Sequence, residues 1–152
     1  FCASLADVFD DEVDDSWRED LWELIRSTPN LTWLILTKRI DNVKSMAPSG
    51  DGFIADNVWL GVSVEDEKSA RERLPVLGTI DANVLWVSAE PLIGRFDVLD
   101  HRVDWMVVGG ESGRDYRPMD LDDARYMRDQ CREKSIPFFF KQVGGLYAGE
   151  LG

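Results

Sequence analysis

Short apolar runs recur along the chain, and each ends abruptly in polar or charged residues. They fall at residues 31–36 (LTWLIL), 58–64 (VWLGVSV), 84–87 (VLWV), 105–108 (WMVV) and 136–140 (IPFFF). The residues that follow them are Thr37-Lys38-Arg39, Glu65-Asp66, Ser88-Ala89-Glu90, Gly109-Gly110-Glu111 and Lys141-Gln142. A shorter run at residues 1–5 leads into Asp7. The spacing between runs is that of a strand followed by a helix. Uninterrupted apolar strands predict burial on both faces, as in a parallel sheet.

The segments between the runs read as helices. Asp14 or Asp15 can cap a helix over residues 16–26, with Trp17, Leu21, Leu24 and Ile25 on one stripe and Pro29 just beyond its end. Residues 41–47 predict a short helix with Val43, Met46 and Ala47 inward, and residues 48–52 a Pro/Gly loop. A charged helix over residues 66–74 is expected to stop near Pro75. Asp120 or Asp122 caps a last helix running to Glu133, with Ala124, Met127 and Cys131 at apolar spacing. No repeat, low-complexity stretch or linker interrupts the pattern, so residues 1–152 read as one α/β domain. Six strand–helix units in a row suit either an open doubly wound sheet or a complete or partial β/α barrel. In both, ligand chemistry gathers at the C-terminal ends of the strands.

Composition narrows the function classes. The 152 residues are 44% hydrophobic and 30% charged, values of a folded soluble domain. No apolar run approaches the roughly 20 residues of a membrane span, and no basic region followed by a long apolar stretch marks a signal peptide. The chain starts at Phe1 without an initiator Met, so a processed chain or a piece of a longer one is expected. Net charge is −12. Such a surface repels nucleic-acid phosphates, so general DNA or RNA coating is not expected, although a local basic site stays open. The two cysteines, Cys2 and Cys131, form no CxxC and no disulfide framework, which points to a reducing cytoplasm. The single His101 excludes a His-rich metal site in this chain.

The candidate chemistry sits at the strand ends: Asp7, Lys38, Arg39, Ser63, Glu65, Glu90, Glu111, Lys141 and Gln142. Each alone is an ordinary solvated strand end; together they set carboxylates and cations along one rim. Gly109-Gly110-Glu111-Ser112-Gly113 is the most distinctive turn, able to bring backbone close to a ligand and to offer a carboxylate. It is equally a tight turn, and it is not the GxGxxG of a dinucleotide site. Glu90 precedes Pro91, which favours an extended, inward-aimed carboxylate. Lys38 and Arg39 suit a carboxylate or phosphate, or else neutralise Glu65, Glu90 or Glu111. Phe138, Phe139 and Phe140 and most of the six tryptophans read as core, His101 as exposed and Cys131 as a core thiol. There is no Ser-His-Asp signature, P-loop, HExxH or three-cysteine motif.

Six motifs occur in order: LTKR (36–39), NVWLGVSVE (57–65), SAEPLIG (88–94), GGESG (109–113), RPM (117–119) and PFFFKQ (137–142). Together they resemble an uncharacterised phage and prophage protein family related to the radical S-adenosylmethionine (SAM) enzymes, over residues 1–145. The resemblance implies a β/α barrel of the radical-SAM, TIM-like type. It also implies, for a complete member, an N-terminal three-cysteine segment holding a [4Fe–4S] cluster whose open iron takes SAM. This chain departs from the pattern: it lacks the cysteine cluster and reads as a partial barrel missing its first βα unit. No cofactor is therefore expected in this chain alone, SAM binding should be weak or absent, and no metal ligand is assigned. By the resemblance Ser63 and Glu65 fall where SAM ribose or carboxylate is contacted. Glu90 and Glu111 become rim residues, and Lys38, Arg39 and Lys141 face substrate or the SAM carboxylate. No residue is assigned as catalytic.

Three functional readings follow. The first is the barrel-forming portion of a phage-type radical-SAM-like protein of unknown substrate, a nucleotide or nucleic acid being the class suggested by the phage resemblance. The second is a cluster-free partial-barrel interaction module or remnant, pairing with itself or a partner through an open sheet edge. The third is a cluster-free β/α enzyme using Glu90, Glu111 and Lys141 in acid–base or phosphate chemistry.

Overall fold

The computed structural model describes residues 6–48 and 55–145. Helix α1 (Asp15–Ser27) precedes strand β1 (Trp33–Thr37). A 3-10 turn (Ile40–Asn42) and the short α2 (Val43–Met46) lead to β2 (Val58–Ser63), then α3 (Glu67–Leu77), β3 (Val84–Ala89), β4 (Trp105–Gly109), α4 (Leu121–Glu133) and β5 (Phe138–Gln142). The residues 1–5 run, Cys2 and most of the residues 48–52 loop lie outside the described residues.

The helix starts are local chemistry. Asp14 accepts from the Ser16 amide at 2.9 Å and Asp120 from the Asp122 amide at 2.8 Å. Asp66 and Ser69 cap α3 reciprocally, each side chain accepting from the other's backbone amide. Helix α3 does not stop at Pro75: it continues to Leu77, which is fully buried. Burial of that last turn offsets the backbone hydrogen bond that proline cannot donate.

The five strands are all parallel and lie in the order β1-β2-β3-β4-β5. Among the described residues there is no reversal of strand order, the mark of a doubly wound sheet. Parallel crossovers are right-handed, so an unreversed order sends successive connections to the same side. The burial pattern agrees. One apolar cluster joins Ile35, Leu60, Val62, Leu85, Val87, Met106 and Val108 to the helices and loops, whereas Leu34, Trp59, Trp86, Trp105 and Val107, on alternate positions, are not in it.

Several expectations are corrected. Between β3 and β4 there is no helix. Phe96 and Val98 of that connection enter the core directly, held by Gln130 of α4, whose amide donates to Phe96 O at 2.8 Å and accepts from Val98 N at 3.0 Å. The described residues hold five strands, and the crossover from β3 to β4 is helix-free, so the strand–helix units are not uniform; the sixth expected strand, at residues 1–5, falls outside them. The buried stripe of α1 is Arg18, Trp22 and Ile25, while Trp17 and Leu24 are exposed. Arg18 turns inward because it caps the preceding loop, donating to Val8 O and Asp10 O. Phe139 and Phe140 are exposed and not core, because β5 is an edge strand, paired with β4 on one side and with no strand beyond it among the described residues. His101 is half-buried.

Candidate functional site

Strand alternation decides what the second sheet face carries. Register places Leu36, Gly61, Trp86 and Trp105 in one row and Ser63, Ser88, Val107 and Phe139 in the next. Gly61 makes the first row work: a Cβ there would lie 2.2 Å from the Trp86 ring. The Trp86 indole therefore lies flat over β2 and donates to Trp59 O at 3.2 Å. Trp105 packs on both neighbours, its ring centroid 5.3 Å from Trp86 and 6.0 Å from Trp59.

One row further along, at the C-terminal strand ends, stand Glu90 and Lys141. Lys141 Nζ is 3.0 Å from Glu90 Oε1, and Ser88 Oγ donates to Glu90 Oε2 at 3.2 Å. Gly109 clears the space, since a Cβ there would lie 2.6 Å from Glu90 Oε1. The Glu90–Pro91 peptide is cis. These groups line a cavity of 530 Å³ whose floor is Trp86, Trp105, Val107 and Phe139 and whose polar end is Ser88, Glu90 and Lys141. That is within the range of small-molecule sites, which are mostly apolar with a few placed polar groups.

The remaining rim residues form a chain of ion pairs. Asp7 accepts from Thr37 Oγ1 at 2.7 Å and from the Lys38 amide at 2.8 Å. Arg39 reaches Asp10 at 2.9 Å and Asp7 at 3.6 Å, turned toward the N-terminal segment. The Lys38 ammonium pairs with Glu65, which also takes Arg73 at 2.9 Å. Burial pushes the Glu65 carboxyl up, but Lys38 and Arg73 together outweigh it and hold the group below the usual carboxylate range. Arg73 also donates to the carbonyl of buried Ser63 at 2.6 Å. Glu111 is gripped by Arg117, which gives it two side-chain bonds at 2.8 and 2.7 Å and a backbone bond at 2.8 Å. Those bonds bring the Glu111 carboxyl down to about 2. Gln142 donates to Gly110 O at 3.1 Å and Ser112 Oγ at 3.0 Å, tying β5 to the glycine turn.

A family model described as a protein of unknown function, DUF5131, matches residues 1–151. The chain belongs to DUF5131. No curated protein and no solved structure matches it.

In this DUF5131 fold the candidate residues do not meet in one place. Glu90 and Lys141 share the cavity on the sheet face. Lys38 and Glu65 line a second, polar groove of 350 Å³ with Arg73 and Arg117. Ser63 lies beneath that groove through its carbonyl, Arg39 faces away, and Glu111 and Gln142 brace the turn after β4. Sequence reasoning missed Arg73, whose place on a charged helix reads as solvated surface. Trp86 and Trp105 read as core, and Trp86 is buried, but no local signal says that their row borders a cavity. Gly61 carried a faint signal, as an isolated glycine at a strand position marks close approach, and Gly109 drew notice only as the start of the glycine turn. The donor set does not fit an iron–sulfur cluster: the sequence has two cysteines, and Cys131 is buried on α4 with its thiol pushed up to about 11 by desolvation. Among the described residues no helix is long and apolar enough to cross a membrane.

Proposed function

We propose that this DUF5131 chain is the sheet-and-rim portion of a β/α barrel of radical-SAM type, with its ligand on the sheet face outside the main core. The observation that carries the reading is the unreversed parallel order. Five parallel strands in chain order leave one face outside the apolar core, and that face bears a cavity ending in Glu90 and Lys141. Charged and polar groups at the C-terminal strand ends are where barrel chemistry collects. The phage-type motif resemblance supplies the reaction class. The thiolates for a cluster would come from a segment outside residues 1–152, and the cluster with SAM would supply radical chemistry. The substrate side of the reading is a small molecule held in that cavity.

The test uses the full gene product, reconstituted anaerobically with iron and sulfide. The expected result is an in-frame segment upstream of Phe1 with three clustered cysteines, a [4Fe–4S] signal by electron paramagnetic resonance, and consumption of SAM that depends on reductant. Residues 1–152 alone should bind SAM weakly or not at all. A gene product with no such segment and no cluster overturns the reading. A cluster-free module pairing through the β1 or β5 edge would then take its place, visible as edge-mediated oligomers in light scattering.

A further inference from the structure

The cavity on the second sheet face has a chemical gradient. Its floor is the Trp86–Trp105 row. Two residues along the strands come Ser88, Val107 and Phe139, and two more bring Glu90 and Lys141. At about 3.3 Å per strand residue the gradient runs over roughly 13 Å. Its apolar end is aromatic and its polar end holds one anion and one cation 3.0 Å apart. The anion is built in: Gly109 is bare where any side chain would displace it, and buried Ser88 holds its second oxygen. The cation is on the edge strand and about half exposed, so a ligand can reach it.

A carboxylate beside an ammonium is the electrostatic complement of an antiparallel zwitterion. A ligand ammonium set on Glu90 and a ligand carboxylate set on Lys141 make an alternating square of four charges, in which each group keeps an opposite neighbour. A dianion or a dication would gain one contact and suffer a repulsion. A polynucleotide is further disfavoured by the net charge of −12. We infer that this cavity binds a free α-amino acid with a large apolar or aromatic side chain, the amino and carboxylate groups on Glu90 and Lys141 and the side chain against Trp105, Val107 and Phe139. The inference names the ligand class of the site proposed above and rests on that reading of the sheet face as the ligand site.

Calorimetric titration of the purified protein with L-phenylalanine, L-phenylalaninamide, N-acetyl-L-phenylalanine and guanosine tests it. Free phenylalanine should bind, and each analogue lacking one charge should bind about tenfold more weakly or worse, as befits loss of a charge-assisted hydrogen bond. In Lys141→Met the discrimination against the amide should vanish. In Glu90→Gln the discrimination against the N-acetyl compound should vanish. This crossed pattern cannot arise from misfolding, and unchanged circular dichroism of Lys141→Met verifies the fold. Equal binding of phenylalanine and its analogues, saturable binding of guanosine in their place, or no binding at millimolar phenylalanine overturns the inference. Those results leave cluster formation and SAM consumption by the full gene product untouched, so the two failures are separable.

Discussion

Replacing Gly61 with alanine adds one methyl group to the middle of β2, and the structure says where it goes. The new Cβ would lie 2.2 Å from Trp86 Cε2 and 2.6 Å from two further ring atoms, whereas carbon atoms rest at about 3.5–4.0 Å. The overlap exceeds an ångström. Strand β2 cannot retreat, because it is hydrogen-bonded to β1 on one side and β3 on the other. Trp86 must move instead. It is 2% exposed, donates to Trp59 O and packs on Trp105. Losing that hydrogen bond costs about 1 kcal/mol, losing the aromatic pair about 1 kcal/mol, and overpacking about 1–3 kcal/mol. Alanine returns about 1 kcal/mol through its lower chain entropy. The net expectation is a destabilisation of about 2–4 kcal/mol. For a chain of this size that corresponds to a fall in Tm of roughly 5–15 °C. Urea unfolding followed by far-ultraviolet circular dichroism and tryptophan emission measures it. In a Trp86→Leu background the same Gly61→Ala change should cost less than about 1 kcal/mol, because the clashing ring is gone. A Gly61→Ala protein within about 0.5 kcal/mol of the parent, or an equal cost in both backgrounds, refutes the reasoning.

The Glu111 carboxyl should titrate near pH 2 by carbon NMR, and Arg117→Ala should return it toward 4.5. A carboxyl pKa lower in the folded than in the unfolded state contributes stability that is complete above pH 4.5 and lost as pH falls toward 2; a pH-stability curve for Arg117→Ala should lack that component. In a Cys2→Ser background the remaining thiol, Cys131, should react with a disulfide reagent roughly a hundredfold more slowly in the native than in the unfolded protein, because burial pushes it up to about 11; equal rates would contradict its burial on the inner side of α4. Asp66→Ala should destabilise by about 1 kcal/mol through loss of the reciprocal cap of α3, measured by urea unfolding, and Asp66→Asn should retain most of the stability.

The rim shows how far side-chain chemistry can be read without partners. That Lys38 and Arg39 neutralise acidic residues was one of two readings, and both are engaged by carboxylates in the structure. Glu65 was among the named carboxylates, and Lys38 takes it together with Arg73; that Arg39 takes Asp10, an N-terminal loop residue, was not legible. Glu111 stood out for its glycine turn. Arg117, six residues on, determines that its carboxylate is held in a fork and ionised across ordinary pH.

What the sequence by itself determined is local. Apolar runs against helical spacing yield the positions of β1 to β5, and Asp14, Asp66 and Asp120 start their helices through bonds to amides two or three residues away. Such contacts span a turn or less, so adjacent residues encode them. Only the tertiary structure decided that the strands follow one another without reversal, that the core lies against one face and that the Trp86–Trp105 row floors a cavity on the other. The same holds for the helix-free crossover pinned by Gln130 more than thirty residues away and for the exposure of Phe139 and Phe140. These depend on register and on which strand ends at an edge. A pattern of apolar residues says that a strand must be covered; it does not say by what.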